Sequence, residues 1–179
     1  MTELLITTSV LMIISAMAII QLSPTLQQQQ ANAAMIEVTS QLRNAREMAM
    51  TQRRDIQVAF LGTNQIQLTR LNLPAGTAPT VLSTFTIQAP VIFALNPGSP
   101  DTPDSFGNAA AIEFGGVAGG PPVMMFQSDG TFVSGTGVLL NGTVFLAVTN
   151  VPTATRAVTV LGSTGRLRMY KANPTGWAQ

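Results

Sequence analysis

Three patterns of hydrophobic and polar positions follow one another along the chain. Residues 4–22 are apolar apart from Thr7, Thr8, Ser9, Ser15 and Gln21. As a helix this run rises about 28 Å, close to the thickness of a bilayer core. It therefore predicts a helix able to span a membrane. Ser23-Pro24 interrupts the run, because proline lacks a backbone donor and its ring crowds the preceding turn. Good helix formers resume over residues 27–34. From there the apolar residues Met35, Val38, Leu42, Ala45 and Ala49 recur at helical spacing and form one stripe. Glu37, Arg43, Arg46, Glu47 and Arg53 occupy the other face. The prediction is one N-terminal helix of roughly 50 residues, about 75–80 Å long. Its first half is apolar all round and its second half is amphipathic, with a core-facing stripe. Arg53 and Arg54 suit its C-terminal end, where cations meet the negative pole of the helix.

Beyond Arg54 the period changes from helical to alternating. Ile56, Val58 and Phe60 alternate with other residues, Gly62-Thr63-Asn64 turns, and Ile66 and Leu68 alternate again, the mark of a β-hairpin. Further strands are expected at 81–87, 91–95, 111–114, 123–126, 143–148, 157–161 and 166–170. Turns are expected at Ser128-Asp129-Gly130, Asn141-Gly142 and residues 162–165. Residues 96–108 hold Pro97, Pro100 and Pro103 and predict a surface loop, as do residues 115–122. The division that follows is a helix over 1–54 (1–24 apolar, 25–54 amphipathic) and a β-rich head over 55–179. The fold class is α+β, a long helix packed on an antiparallel β-sheet head.

Composition narrows the chemistry. There are no cysteines and no histidines, which removes disulfides, thiolate metal sites and the commonest general base and metal ligand. An enzyme is not expected, and neither is a cofactor or a metal. Asp101, Asp104 and Asp129 lack the regular acidic ladder of a calcium loop. Asn141-Gly142-Thr143 matches a glycosylation sequon, but Asn-Gly also forms a tight turn. Lys+Arg 9 against Asp+Glu 8 leaves a net charge of +1, so no overall field recruits nucleic acid or an anionic membrane. Only 9% of residues are charged, which suits a neutral surface that packs against copies of itself.

Glu3 is the one charge before Glu37. An unpaired ion in hydrocarbon costs several kcal/mol, so its position at the mouth of the apolar run implies a partner charge. Met1-Thr2-Glu3-Leu4-Leu5, the break at Pro24 and the basic stretch through Arg53-Arg54 resemble the N-terminal region of type IV pilin-like proteins. Phe126-Gln127-Ser128-Asp129-Gly130-Thr131, the strand from Arg156 and Gly165-Arg166-Leu167-Arg168-Met169-Tyr170 resemble the pseudopilin H and FimT-like group. In the mature proteins of that family the glutamate is fifth; here it is third.

The resemblance implies a structural subunit of a type IV pilus-like filament. Such a subunit is held in the inner membrane before assembly and then polymerised with copies of itself at the cell surface. It implies assembly residues Met1, Glu3, Leu4, Leu5 and Pro24, with Glu3 pairing to a neighbouring subunit's N-terminal amine. It also implies processing and methylation by a prepilin peptidase, and an assembly machinery. Two alternatives stand beside it. One is a minor FimT-like pilin that binds DNA through Arg156, Arg166, Arg168 and Lys171. The other is a pseudopilin of type II secretion. Against DNA binding stands a solvated sheet face whose arginines pair with Asp129 or Glu113. Pro24 with the glutamines after it is also expected to be a weak point where the helix extends on assembly.

Overall fold

In the computed structural model, helix α1 (Thr2–Gln52) leads into a region whose described residues form twelve strands in two antiparallel sheets. The structure describes every residue except Met1, Leu73, Ala75, Pro174 and Thr175, and the side chains of Thr2, Leu4, Leu5 and residues 16–23 also lie outside the description.

The helix runs through Pro24 without a break, which corrects the interruption expected there. Proline withdraws a single backbone donor, and the turns on either side keep theirs. At the other end Arg53 takes a left-handed conformation (φ 49°), and the Arg54 N–H returns to the Ala49 carbonyl at 3.2 Å. This closure satisfies a terminal carbonyl by the usual C-terminal capping geometry, with arginine where glycine is common.

The expected stripe is the buried face. Met35, Val38, Leu42, Ala45 and Ala49 are all buried, and Ala31 and Ala34 extend the stripe by about one turn. Small residues there let the helix lie close to the sheets, as native packing density requires. Glu37, Arg43, Glu47 and Arg53 are exposed; Arg46 is half-buried, for a reason given below.

Strands β1 (Ile56–Leu61), β2 (Gln65–Arg70), β3 (Thr80–Thr86), β7 (Met124–Phe126) and β8 (Phe132–Ser134) form the first sheet, in the order β3-β2-β1-β7-β8. The second sheet contains β5 (Ile112–Phe114), β6 (Val117–Ala118), β9 (Gly142–Val148), β10 (Arg156–Leu161), β11 (Arg166–Asn173) and β12 (Gly176–Ala178). Its order is β12-β11-β10-β9-β5-β6, with β4 (Val91–Phe93) also paired to β9. Strands β6, β8 and β12 were not foreseen. They are two or three residues long, too short for alternation to register. The core lies between α1 and both sheets, where Phe114, Phe126 and Phe132 stack in series.

The proline-rich segment 96–108 is a loop, but it does more than cross the surface. It covers the face of the second sheet that turns away from α1. Asn96 and Thr102 are buried within it, and a second apolar cluster of Phe145, Ala157 and Tyr170, with Leu95 and Trp177, lies under its flanks. The Trp177 indole N–H donates to the Pro100 carbonyl at 3.0 Å. Covering both faces explains why all seven residues of β9 are buried and why its sequence reads as a continuous apolar run rather than an alternation.

Candidate functional site

The first region of interest is the free part of α1. Every described side chain from Glu3 to Ser15 is exposed, including Ile6, Val10, Leu11, Ile13, Ile14 and Met12, the last at 75%. Burying such side chains is worth about 1.5–3 kcal/mol each, so this segment gains on the order of 10 kcal/mol gross wherever it is covered. Its polar groups are prepared for an apolar setting. Ser9 Oγ donates to the Ile6 carbonyl and Ser15 Oγ to the Leu11 carbonyl, both at 2.8 Å, so each hydroxyl is satisfied within the helix itself. Among the described residues no helix is long and apolar enough to cross a membrane. The membrane-length run expected at residues 4–22 is thus represented in side-chain detail by residues 6–15 only. Of the expected assembly residues, Glu3 and Pro24 are exposed on the helix. Met1 and the side chains of Leu4 and Leu5 lie outside the described residues.

The second region is the basic C-terminal surface, and the structure divides the four residues proposed for it. Arg156 is only 3% exposed. Its Nε donates to Asn32 Oδ1 on α1 at 2.7 Å, and its Nη1 to the carbonyls of Thr153 and Thr155 at 2.9 and 2.7 Å. Its Nη2 reaches the Gln28 carbonyl at 3.4 Å. Burial draws its pKa down from the ordinary arginine value. Arg156 therefore ties β10 and the turn before it to the helix. It is unavailable to a polyanion, which corrects its place in the DNA-binding set.

Arg168 Nη1 pairs with Asp104 Oδ1 at 2.5 Å. The other carboxylate oxygen of Asp104 accepts from Thr159 Oγ1 at 2.6 Å and from the Tyr170 hydroxyl at 3.0 Å. Burial by itself raises the Asp104 carboxyl, but the hydrogen bonds from Thr159 and Tyr170 and the Arg168 charge outweigh it and hold the pKa below the ordinary value. The arginine partner is thus Asp104, not Asp129 or Glu113. Asp129 instead accepts from the Thr131 N–H and hydroxyl at 2.9 and 2.6 Å, and Glu113 accepts from the Ala109 N–H at 2.7 Å. Nothing local marks Asp104 for this role, since its partners lie 55 to 66 residues away.

Arg166 and Lys171 stay exposed. Five positions apart on one strand, they point to opposite faces, so they do not form a patch. Of the three loop carboxylates weighed for calcium, Asp101 accepts the N–H groups of Thr102 and Gly107, and the other two are engaged as described. Among the described residues no group of His, Cys, Asp and Glu could hold a metal.

The two head motifs converge on the helix. Gln127 and Thr131 close the β7–β8 turn, with the Gln127 N–H to the Thr131 carbonyl at 2.9 Å. Arg46 Nε on α1 donates to the Gly130 carbonyl of that turn at 3.2 Å. Gly165 in the β10–β11 turn lies against the same pair (a Cβ there would stand 2.2 Å from the Gly130 carbonyl and 2.8 Å from Arg46 Nε). This is why Arg46 is half-buried on the otherwise solvated face of the helix.

No protein-family model matches the chain, and no curated protein does. Three solved structures resemble it. The minor pseudopilin EpsH from the type 2 secretion system of Vibrio cholerae superposes with a TM-score of 0.53 at 13% identity, over 79% of this chain and 97% of that one. The type IV minor pilin FimU of Pseudomonas aeruginosa, in two crystal forms, gives TM-scores of 0.48 and 0.49 at 17% and 16% identity, over 83% and 84% of this chain. It covers 97% and 94% of those chains. With its long N-terminal helix packed on antiparallel sheets, and its superposition on EpsH, the chain has the type IV pilin-like fold.

Proposed function

We propose that this chain is a structural subunit of a type IV pilus-like filament, held in the inner membrane before assembly and polymerised through its N-terminal helix. The observation that carries the proposal is the division of α1. Residues 31–49 bury one stripe against the head, whereas the described residues 3–15 are exposed and largely apolar. A segment of that kind needs covering, either by lipid or by the same segment of other copies. Contacts that repeat without closing give an open helical polymer. Glu3 would pair with the N-terminal amine of a neighbouring subunit, because two opposite charges buried together are tolerated where one is not. Such a pair sets axial register between subunits. A prepilin peptidase and an assembly machinery follow from this role, and catalysis forms no part of it.

The fold shared with EpsH favours a pseudopilus of a secretion system as the second setting for the same assembly chemistry. A DNA-binding minor pilin is supported less, since Arg156 is buried and Arg168 is engaged by Asp104.

Cryo-electron microscopy of the sheared cell-surface fraction tests the proposal. Filaments whose axis is built from residues 1–54, with side-chain density matching this chain and Glu3 against a neighbouring amine, are the expected result. A chain that stays monomeric in detergent, and is missing from both surface filaments and secretion pseudopili, would overturn it.

A further inference from the structure

A cleft of about 510 Å³ opens where the third-last turn of α1 faces the β10–β11 turn, and Arg43, Arg46, Glu47, Thr164, Gly165 and Arg166 contribute to its walls. Three of the chain's nine basic residues are gathered here. Against one glutamate they leave two net positive charges in a concave surface. Among the described residues the single ion pair is Arg168–Asp104, so Glu47 does not close on any of these arginines. Arg46 is held in place by its Nε bond to the Gly130 carbonyl, which leaves both Nη groups for a ligand. Gly165 keeps the floor free of a side chain, since a Cβ there would strike Arg46. The Thr164 hydroxyl accepts from the Arg166 N–H at 3.3 Å and keeps its own proton to donate.

We propose that this cleft is an oxyanion site for a terminal phosphate group, free or carried on a lipid headgroup. A carboxylate saturates one guanidinium edge. Two or three guanidinium groups arriving from different elements instead suit a tetrahedral oxyanion with three free oxygens and two charges. A phosphodiester in a polymer offers one charge per group and two bridging bonds, a poorer match to a site walled by the helix and the hairpin. The cleft lies outside the exposed apolar residues 3–15 that carry the assembly proposal, and its ligand binding is read on the unassembled chain, so it holds or fails independently of the assembly role.

The test uses the full chain in a neutral detergent at low salt. Inorganic phosphate is titrated by calorimetry; for the lipid arm the detergent is removed, and flotation on vesicles of phosphatidic acid in phosphatidylcholine is scored as the excess over vesicles of phosphatidylcholine alone. Wild type is compared with the double variant Arg43→Gln, Arg166→Gln, and with Glu47→Gln. Expected is binding of inorganic phosphate, of the phosphatidic-acid vesicles, or of both. The double variant, both of whose sites are exposed, should weaken it about ten-fold or more with the circular dichroism unchanged. Glu47→Gln should tighten it, a gain that no folding defect produces. Binding of phosphate alone identifies a free oxyanion as the ligand; binding of the vesicles alone identifies a headgroup. Absence of binding to either probe, or binding indifferent to the double variant, overturns the proposal. So does a 5′-hydroxyl oligonucleotide that binds more tightly than phosphate and is lost in the double variant, because the site would then read a polymer backbone.

Discussion

Arg46 Nε donates to the Gly130 carbonyl at 3.2 Å, directly beside the place where a side chain on Gly165 would stand. One helix residue therefore joins two hairpin turns that are 35 residues apart in sequence. Gly165 is therefore required twice over, for its left-handed backbone and for its missing side chain, and a glycine elsewhere that meets only the first requirement separates the two.

Gly165 has φ +60° and a close neighbour, whereas Gly137 has φ +80° and open space around it. Gly137→Ala should cost only the left-handed backbone, about 1–3 kcal/mol. Gly165→Ala should cost that plus the displacement of the Gly130 carbonyl and Arg46, and so clearly more. Urea unfolding of both variants checks the difference; equal losses would mean that the turns are not packed as described.

Arg156 ties the sheet to the helix through Asn32 and three backbone carbonyls. Arg156→Met keeps the bulk but strands those acceptors away from water, at about 1–3 kcal/mol for a buried group left unsatisfied. The expected outcome is a lower denaturation midpoint, with early hydrogen exchange in the helix around Asn32. If stability and exchange there match wild type, the tie contributes nothing.

Asp104 introduces a pH dependence whose sign follows from its depressed pKa. The unfolded carboxyl titrates near its ordinary value of 3.8 and the folded one below it. The contribution to stability is therefore complete above the unfolded pKa and is lost as pH falls below 3.8 and through the folded pKa. Asp129 shifts in the same direction, so the informative comparison is with Asp104→Asn. That variant should be less stable near neutrality and lose less on acidification. Parallel pH profiles for the two proteins would exclude Asp104 as the cause.

Thr143 is fully buried in β9, and its hydroxyl has no hydrogen-bond partner. Replacing a dry, unpaired hydroxyl by a methyl of nearly the same shape removes a cost and loses no bond. Thr143→Val should leave stability unchanged or raise it by up to about 1 kcal/mol, read from the thermal or urea midpoint. A marked loss would reveal a partner for the hydroxyl. Asn141, two residues earlier, is exposed, and its Oδ1 accepts the Gly162 N–H at 2.8 Å, which fixes the Asn-Gly turn.

The sequence by itself determined what repeats along the backbone. The 3.6-residue stripe from Met35 to Ala49 specified the buried face of α1. Alternation at Ile56–Val58 and Ile66–Leu68 specified the first hairpin, whose register pairs Val58 with Leu68. These signals are legible because a periodic backbone presents a periodic set of side chains to one core. The lone Glu3 and the missing histidines and cysteines were equally plain, being facts of composition. Tertiary structure alone decided the basic surface. Arg156, Arg166, Arg168 and Lys171 look alike in a string. Yet one is buried against Asn32, one is held by Asp104, and the remaining two face opposite ways. Their fates depend on partners as much as 128 residues distant. Only the completed packing of helix, sheet and covering loop sets the local dielectric and brings such partners within bonding distance, and no periodicity encodes that.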